Sequence, residues 1–308
     1  MSARIGTVLV AGSANLDFVV RAARVPAPGE TVLGRGLATY PGGKGANQAV
    51  ACARAGAPTR LLAAFGDDAY AAPIEASLRT AGVDVQALRV ADRATGTAFI
   101  CVSDDGENAI TVAPGANAAL RAEHLPDLSG VACLLLQLET PLATVEAWAK
   151  AARAAGVRVL LNAAPAHVLS PCLLGAVDVL IVNEGELAAI TGVHGDLVTA
   201  LANLQQVPWV IVTLGARGCC ARIDGELLHQ AAYPVAAIDT TAAGDTFCGT
   251  LAAALAAGEG AAAALRRASA ASALACTRPG AQSSVPARAE VDALLAGAHA
   301  RDAQVAPS

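Results

Sequence analysis

VACLLLQLETPLATVEAWAKAARAAGVRVLLN, residues 131–162, decides the fold class. Its outer segments, Ala132–Leu136 and Val157–Leu161, are short continuous apolar runs, as strands covered on both faces require. Between them Leu142–Ala155 is Ala-rich and reads as a helix, since alanine has the best intrinsic helix propensity. Strand, helix and strand in that order make a parallel pair joined by a crossover helix. The same alternation extends outward in both directions. Thr7–Ala11, Leu61–Phe65, Val179–Val182 and Trp209–Thr213 read as further buried strands, and Gly45–Ala55, Ala69–Ala81 and Glu184–Thr191 as further helices. After Asp239 the chain turns helical over Ala243–Ala257, Ala261–Cys276 and Arg288–Ala298, and it closes on DAQVAPS, expected to be a frayed tail. The class is therefore α/β, a three-layer α/β/α core around a mostly parallel sheet.

Two segments break this rhythm. Residues 16–40 hold the β-like runs LDFVV and ETVLGRGLATY around the turn-rich RVPAPGE. Residues 96–112 read as a hairpin, GTAFICV and NAITV, around Ser103-Asp104-Asp105-Gly106. Four antiparallel strands inserted in an α/β chain do not easily join the parallel sheet. They are expected to form a separate small β layer, a lid or a dimer surface. The core is then assigned to 1–15, 41–95 and 113–308, and the lid to 16–40 and 96–112.

Composition excludes several classes. The 308 residues carry 21 Lys+Arg against 26 Asp+Glu, a net charge of −5, with only 4 Phe, 3 Tyr and 2 Trp. Nucleic-acid binding wants basic patches and stacking rings, so it is not expected. Mean hydropathy is +0.49 and 55% of residues are apolar, which looks membrane-like until alanine is counted at about a quarter of the chain. The stretch Val159–Val177 lacks charge but contains Asn162, Pro165, His167 and Pro171, and fails as a span. The start, IGTVLVAGSANLDFVV, has too short an apolar run before Asp17 for a signal peptide. Eight cysteines lie scattered without metal spacing and read as reduced thiols. A cytoplasmic location follows as the expectation.

Three glycine-containing sites carry chemistry. Pro41-Gly42-Gly43-Lys44-Gly45-Ala46-Asn47-Gln48 is a turn entering a helix, with Lys44 and Asn47 as donors beside a close-approach backbone. It matches neither the P-loop nor the dinucleotide fingerprint, and a plain turn remains its alternative. Asp239-Thr240-Thr241-Ala242-Ala243-Gly244-Asp245-Thr246-Phe247 enters a long apolar helix, where free N–H groups suit an anion. Asp245 beside such an anion hole is what phosphoryl transfer to an alcohol needs, although a lone Asp there can simply cap the helix. Thr213-Leu214-Gly215-Ala216-Arg217-Gly218 is a turn directly after a buried strand. Asn15 and Asp17, Glu139, and Asn183 and Glu186 also lie just past strand ends, where ligands sit in open α/β sheets.

AGSANLD, TYPGGKGANQA, LLLQLETP, VNEGE, TLGARG, DTTAAGDTF and TRPGAQSSVP follow one another from about Val8 to Pro286. In this order they resemble the ribokinase-like (PfkB-type) carbohydrate kinases. The resemblance implies a β lid that closes over a sugar and pairs with a second subunit's lid, giving a homodimer. It implies transfer of the γ-phosphoryl of MgATP to the 5-hydroxyl of D-ribose. Asp245 would be the general base and the N–H groups of Ala242, Ala243 and Gly244 the anion hole. Asn15, Asp17, Gly43, Lys44, Asn47 and Glu139 would hold the sugar. Asn183, Thr213, Gly215, Gly218, Gly244 and Ser269 would surround the nucleotide, and Asn183 with Glu186 would act on Mg2+ through water. A K+ site would use Asp239, Thr241, Ala275, Arg278, Gly280 and Ser284, with Arg278 contributing a carbonyl. The alternative there is that Asp239 caps a turn and Arg278 neutralises it. Two departures stand out: Ser269 is small where relatives often carry a larger polar residue, and Gly185 is expected to loosen the helix start before Glu186. Remaining alternatives are a related kinase acting on a nucleoside or another sugar, and a non-catalytic sugar-binding protein.

Overall fold

The computed structural model describes residues 5–305. Thirteen strands and nine α-helices alternate along them. The strands are β1 (Thr7–Ala11), β2 (Asn15–Arg21), β3 (Gly36–Gly42), β4 (Thr59–Gly66), β5 (Asp84–Val90), β6 (Gly96–Val102) and β7 (Asn108–Ala113), then β8 (Val131–Leu136), β9 (Arg158–Asn162), β10 (Val179–Asn183), β11 (Trp209–Thr213), β12 (Cys219–Ile223) and β13 (Glu226–Gln230). The helices are α1 (Lys44–Arg54), α2 (Ala71–Thr80), α3 (Leu142–Ala154), α4 (Pro171–Leu174), α5 (Glu184–Thr191), α6 (Leu197–Ala202), α7 (Ala243–Ala256), α8 (Ala261–Ala275) and α9 (Arg288–Val305).

The main sheet runs β13-β12-β11-β10-β9-β8-β1-β4-β5. Every pair from β11 to β5 is parallel. Side chains alternate across it. Val8, Val10, Leu61, Ala63 and Phe65 pack beneath α1, α2, α7 and α8. Leu9, Leu62, Leu134 and Leu136 face the opposite layer of α3 to α6, with Trp148, Leu173, Leu187 and Leu201. The interior strands β1, β4, β8, β9, β10 and β11 are thus buried on both faces, which is why their sequences read as apolar runs. The chain leaves β1 toward β4 and β5 on one side, then returns to β8 on the other. The strand order therefore reverses at β1, and a crevice opens past the strand ends there.

Small residues let α1 and α7 approach closely. A Cβ on Gly249 would lie 2.4 Å from the Gln48 carbonyl and 2.5 Å from the Ala51 Cβ. The Cys52 thiol donates to the Gly249 carbonyl at 3.2 Å. One turn earlier on each helix stand Gln48 and Asp245, so this contact line carries those two side chains together.

The small sheet is separate, ordered β3-β2-β6-β7. Its outer pairs are antiparallel, as expected, but β2 and β6 run parallel. The reason is their origin: β2 follows β1 and β6 follows β5, and those parent strands point the same way. The expected run from Glu30 becomes a strand only at Gly36, and it continues to Gly42. Phe18 stacks on Phe99 with centroids 5.4 Å apart and meets Tyr70 edge-on, which seats one face of the small sheet toward α2. Asp17, one residue away, belongs to the opposite face.

The sequence reading stops at Trp209–Thr213, yet a hairpin follows. β12 and β13 are joined by Asp224-Gly225 with φ of 50° and 93°, the Asp-Gly turn that strand twist favours. The edge strand β5, half-exposed and carrying Asp84 and Arg89, was also not anticipated. α9 extends to Val305, so the expected tail is helical at its start; residues 306–308 lie outside the described ones. All eight cysteines are free thiols. Among the described residues no helix is long and apolar enough to cross a membrane.

Candidate active site

Asp245 sits in the first turn of α7, 7% exposed. The Asn47 amide donates to its Oδ2 at 3.0 Å and the Gln48 amide to its Oδ1 at 2.9 Å. A cleft of about 170 Å³ opens beside it, lined by Lys44, Asn162, Asn183, Glu186, Thr213, Ala242, Gly244 and Cys248. α7 starts from Ala242 in the left-handed region at φ 57°. That residue's carbonyl accepts from the Thr246 N–H at 2.8 Å. Among the described residues the N–H groups of Ala242 and Gly244 have no protein acceptor. Both lie at the positive end of the helix, the arrangement an anion hole requires. The expectation for Ala243 needs correcting: its N–H turns back to the Thr240 carbonyl at 3.2 Å, because the left-handed residue before it closes a tight turn.

The second half of the site comes from β1, β2 and the turn into α1. Gly43 adopts φ +88°, and a Cβ there would lie 2.7 Å from the Asn15 nitrogen and 2.9 Å from the Ala14 Cα. Only glycine fits both the conformation and the space. Asn15 is 2% exposed, with its side-chain oxygen held by the Asn117 amide at 2.8 Å. Glu139, just past β8, accepts from the Ser13 hydroxyl at 2.5 Å and from the Lys44 N–H at 3.2 Å. The Asp17 carboxylate lies over Gly42, and its Oδ1 is buried without a partner.

Electrostatics bind these groups into one field. Burial, then the charges of Glu139 and Asp245, push the Asp17 carboxyl up to about 7. For Lys44 burial opposes the charge, but Asp245, Glu139 and Glu186 outweigh it and hold its ammonium above the usual lysine range. Glu186 is raised by burial and by Asp245, against the Asn183 N–H and Lys44. Three carboxylates around one buried ammonium, with unpartnered acceptors left over, suit a ligand rich in hydroxyl donors.

Asn183 and Glu186 form a reciprocal cap on α5. The Glu186 N–H donates to Asn183 Oδ1 and the Asn183 N–H to Glu186 Oε2, both at 2.8 Å. Gly185 therefore does not loosen the helix start, since the capping box carries it. Both side chains still line the cleft, and one Glu186 oxygen remains for a hydrated cation. That donor set fits magnesium held through water.

The two stretches named for a monovalent cation are in contact. Asp239 accepts from the Thr241 and Gly280 N–H groups, each at 2.9 Å, and its own N–H donates to the Cys276 carbonyl at 3.2 Å. Burial raises the Asp239 carboxyl, but these donors win and hold it below the usual range. Arg278 does not neutralise Asp239; its guanidinium pairs with Glu290 across the start of α9. Ala275 accepts from the Arg278 N–H at 3.3 Å, and the Ser284 hydroxyl donates to the Ala281 carbonyl at 2.9 Å. The Asp239 carboxylate, held by two backbone N–H groups, ties the Thr241 and Gly280 stretches together, and an ionised carboxylate with backbone carbonyls on both stretches is the donor type potassium takes.

Three expected nucleotide contacts, Gly215, Gly218 and Ser269, do not line this cleft. Gly218, at φ 91°, packs on the hairpin, where a Cβ would lie 2.0 Å from the Gln230 carbonyl. Ser269, 6% exposed on α8, faces the Cys219 sulfur at 3.9 Å. Gly215 is open, in a 3₁₀ turn whose Arg217 bridges to Glu184 at 2.6 Å. The sequence reading missed Ser13, Gln48, Asn117, Gln137 and Asn162. Gln137 and Asn162 carry the signal that identified Glu139, a polar residue at the end of an apolar strand.

A family model for the pfkB family carbohydrate kinases matches residues 6–288. Over 295 residues the chain is 39% identical to a ribokinase of Haemophilus influenzae, covering 92% of this chain and 96% of that one. Among solved structures, a ribokinase from Thermotoga maritima superposes with a TM-score of 0.87 at 36% identity, covering 94% of this chain and 99% of its own. A ribokinase of Arabidopsis thaliana complexed with ribose and ATP gives 0.87 at 34% identity, covering 95% and 99%.

Proposed function

The chain belongs to the pfkB family of carbohydrate kinases, and we infer that it transfers the γ-phosphoryl group of ATP to the 5-hydroxyl of D-ribose. The observation that carries this reading is Asp245, buried, oriented by two amides, and adjacent to the N–H groups of Ala242 and Gly244. The sugar lies against Asn15, Asp17, Gly43, Lys44, Asn47 and Glu139. Burying a fully hydroxylated pentose demands many partners, and this set supplies both donors and acceptors. Asp245 takes the proton of the 5-hydroxyl as that oxygen bonds to the γ-phosphorus. The bond from phosphorus to the β–γ bridging oxygen breaks, and its electron pair leaves with ADP. The Ala242 and Gly244 N–H groups hold the charge on the transferring group, and Lys44 adds a fixed positive charge.

Asn183 and Glu186 would hold magnesium through water, and the bound ion supplies charge neutralisation on the phosphates. Thr213, Gly215, Gly218 and Ser269 frame the nucleotide side, Gly218 and Ser269 by shaping the hairpin and α8 around it. Asp239, Thr241, Ala275, Arg278, Gly280 and Ser284 would hold potassium, which supplies a fixed charge beside the Asp239–Gly244 loop. The core and lid divide near the expected 1–15, 41–95 and 113–308 against 16–40 and 96–112, with Asn15, Pro41, Gly42 and Ala113 passing to the lid because β2, β3 and β7 include them. The lid's sugar-side face exposes Tyr40, Ile110 and Val112, which suits a homodimer through the lid. Free thiols suit a cytoplasmic enzyme.

A bare sugar is favoured over a nucleoside because Phe18 is engaged with Phe99 and with Tyr70 on the lid's other face, and of the lid's aromatics only Tyr40 stands on the sugar side, among polar groups suited to hydroxyls. The test is an ADP-release assay of the purified protein with ribose, 2-deoxyribose, fructose, adenosine and uridine. Ribose turns over fastest; a nucleoside turned over far better than ribose refutes the assignment.

A further inference from the structure

Behind Asp245 lies a buried chain of amides, and beyond the Gln48 contact to Asp245 none of the roles above uses it. The Gln48 Nε2 donates both to Asp245 Oδ1 at 2.9 Å and to Asn162 Oδ1 at 3.0 Å. The Gln48 Oε1 accepts from Gln137 Nε2 at 2.7 Å. Gln48 and Gln137 are both fully buried, and Asn162 is 9% exposed. The Asn162 Nδ2 reaches the Ile181 carbonyl at 3.4 Å, which sets the Asn162 amide with its oxygen toward Gln48.

An amide beside a carboxylate has a right and a wrong orientation. With Nε2 toward Asp245 it donates; turned over, its oxygen would oppose the carboxylate oxygen. Gln48 cannot choose for itself, because its two ends are alike in shape. Gln137 and Asn162 make the choice from opposite sides, one by donating to Oε1 and the other by accepting from Nε2. Gln137 does so while its own Oε1 stays buried without a partner. The absence of a side chain at Gly12 makes room for that oxygen, since a Cβ there would lie 1.8 Å from it.

We propose that Gln48, oriented by Gln137 and Asn162, is a positioning residue for the general base: it pins Asp245 Oδ1 and so aims Oδ2 at the substrate hydroxyl. The Oδ2 atom has Asn47 as its partner, and Asn47 belongs to the sugar set, so this oxygen is the one shared with substrate. This inference rests on the reading of Asp245 as base in a sugar kinase. Gln48 touches neither sugar nor nucleotide in that reading, so its loss should fall on the chemical step rather than on binding.

The experiment compares Gln48→Met, Gln137→Met, the double variant and Asp245→Asn in steady-state kinetics with ribose and ATP, with melting temperatures alongside. Methionine keeps length and volume while removing the amide. For Gln48→Met we expect kcat to fall about 30-fold, with both KM values within about threefold, as for a misplaced catalytic group. Gln137→Met should lose about three- to tenfold by the same route. The double variant should match Gln48→Met within about twofold, because one path cannot be broken twice. Should Gln48→Met fail to fold, the kcat-against-KM split of Gln137→Met decides the matter. A near-normal kcat in the glutamine variants with an inactive Asp245→Asn overturns the positioning role and leaves the base assignment standing. Losses that multiply in the double variant, or KM values rising in step with lost stability, also overturn it. An active Asp245→Asn removes both.

Discussion

Replacing Asp17 by asparagine separates two consequences of one buried carboxyl. In the free protein the group ionises near 7 rather than at the ordinary 3.8, because it is buried beside Glu139 and Asp245. Between those values the folded chain holds a proton that the unfolded chain has released. The protonated carboxyl's contribution is thus fully present below about pH 4, and it is lost as pH rises through about 7. Between pH 5 and pH 8 about two units of that gap apply, roughly 2.7 kcal/mol, and shared charge among three carboxylates reduces what one substitution recovers to about 1–2 kcal/mol. At about 2–4 °C per kcal/mol for a chain of this size, Asp17→Asn should gain about 2–8 °C over wild type in going from pH 5 to pH 8. Ribose reverses the balance: its hydroxyls donate to the ionised carboxylate and favour that form. Wild-type protein at pH 6.5 should therefore release protons on binding ribose, measured by calorimetry in two buffers of different ionisation enthalpy. The variant should release fewer, and its ribose KM at pH 8 should rise about tenfold or more, as expected for a lost hydrogen bond to a charged group. A stability difference that is the same at pH 5 and pH 8 refutes the electrostatic reasoning. An unchanged ribose KM removes Asp17 from the sugar set.

Asp245→Asn should leave folding and ATP binding intact while lowering kcat by ~100- to 10,000-fold, and retention of more than about a tenth of wild-type turnover would remove Asp245 as base. The exposed Tyr40, Ile110 and Val112 on the lid predict a dimer in sedimentation at micromolar concentration, and Ile110→Asp combined with Val112→Asp should give monomer. A wild-type monomer counts against the lid interface and leaves catalysis untouched. Turnover should rise with KCl and far less with NaCl at constant ionic strength, and Asp239→Ala should abolish the difference; equal rates in both salts for wild type remove the ion from the mechanism.

Much of this protein was legible along the chain. Apolar runs such as Leu134–Leu136 and Leu160–Leu161 declare strands buried on both faces, and the polar residues directly after them mark the crevice. That inference works because parallel strands end on one side, so Asn15, Glu139, Asn183 and Thr213 share a rim whatever their spacing in sequence. Gly43 was legible too, although only the structure shows what a Cβ would strike. Other features depend on partners far away in the chain. Asn47 and Asp245 are separated by 198 residues, and Gln48 and Asn162 by 114. The alternative reading of Arg278 as a counter-ion for Asp239 fails because the fold places Glu290 beside it. The direction of β6 against β2 follows from where each leaves the main sheet, which no local pattern encodes. Local periodicity reports which side of an element is buried. Hydrogen-bond partners, the orientation of an amide and the ionisation of a carboxyl depend on what the opposite element brings, and only the packed tertiary structure decides that.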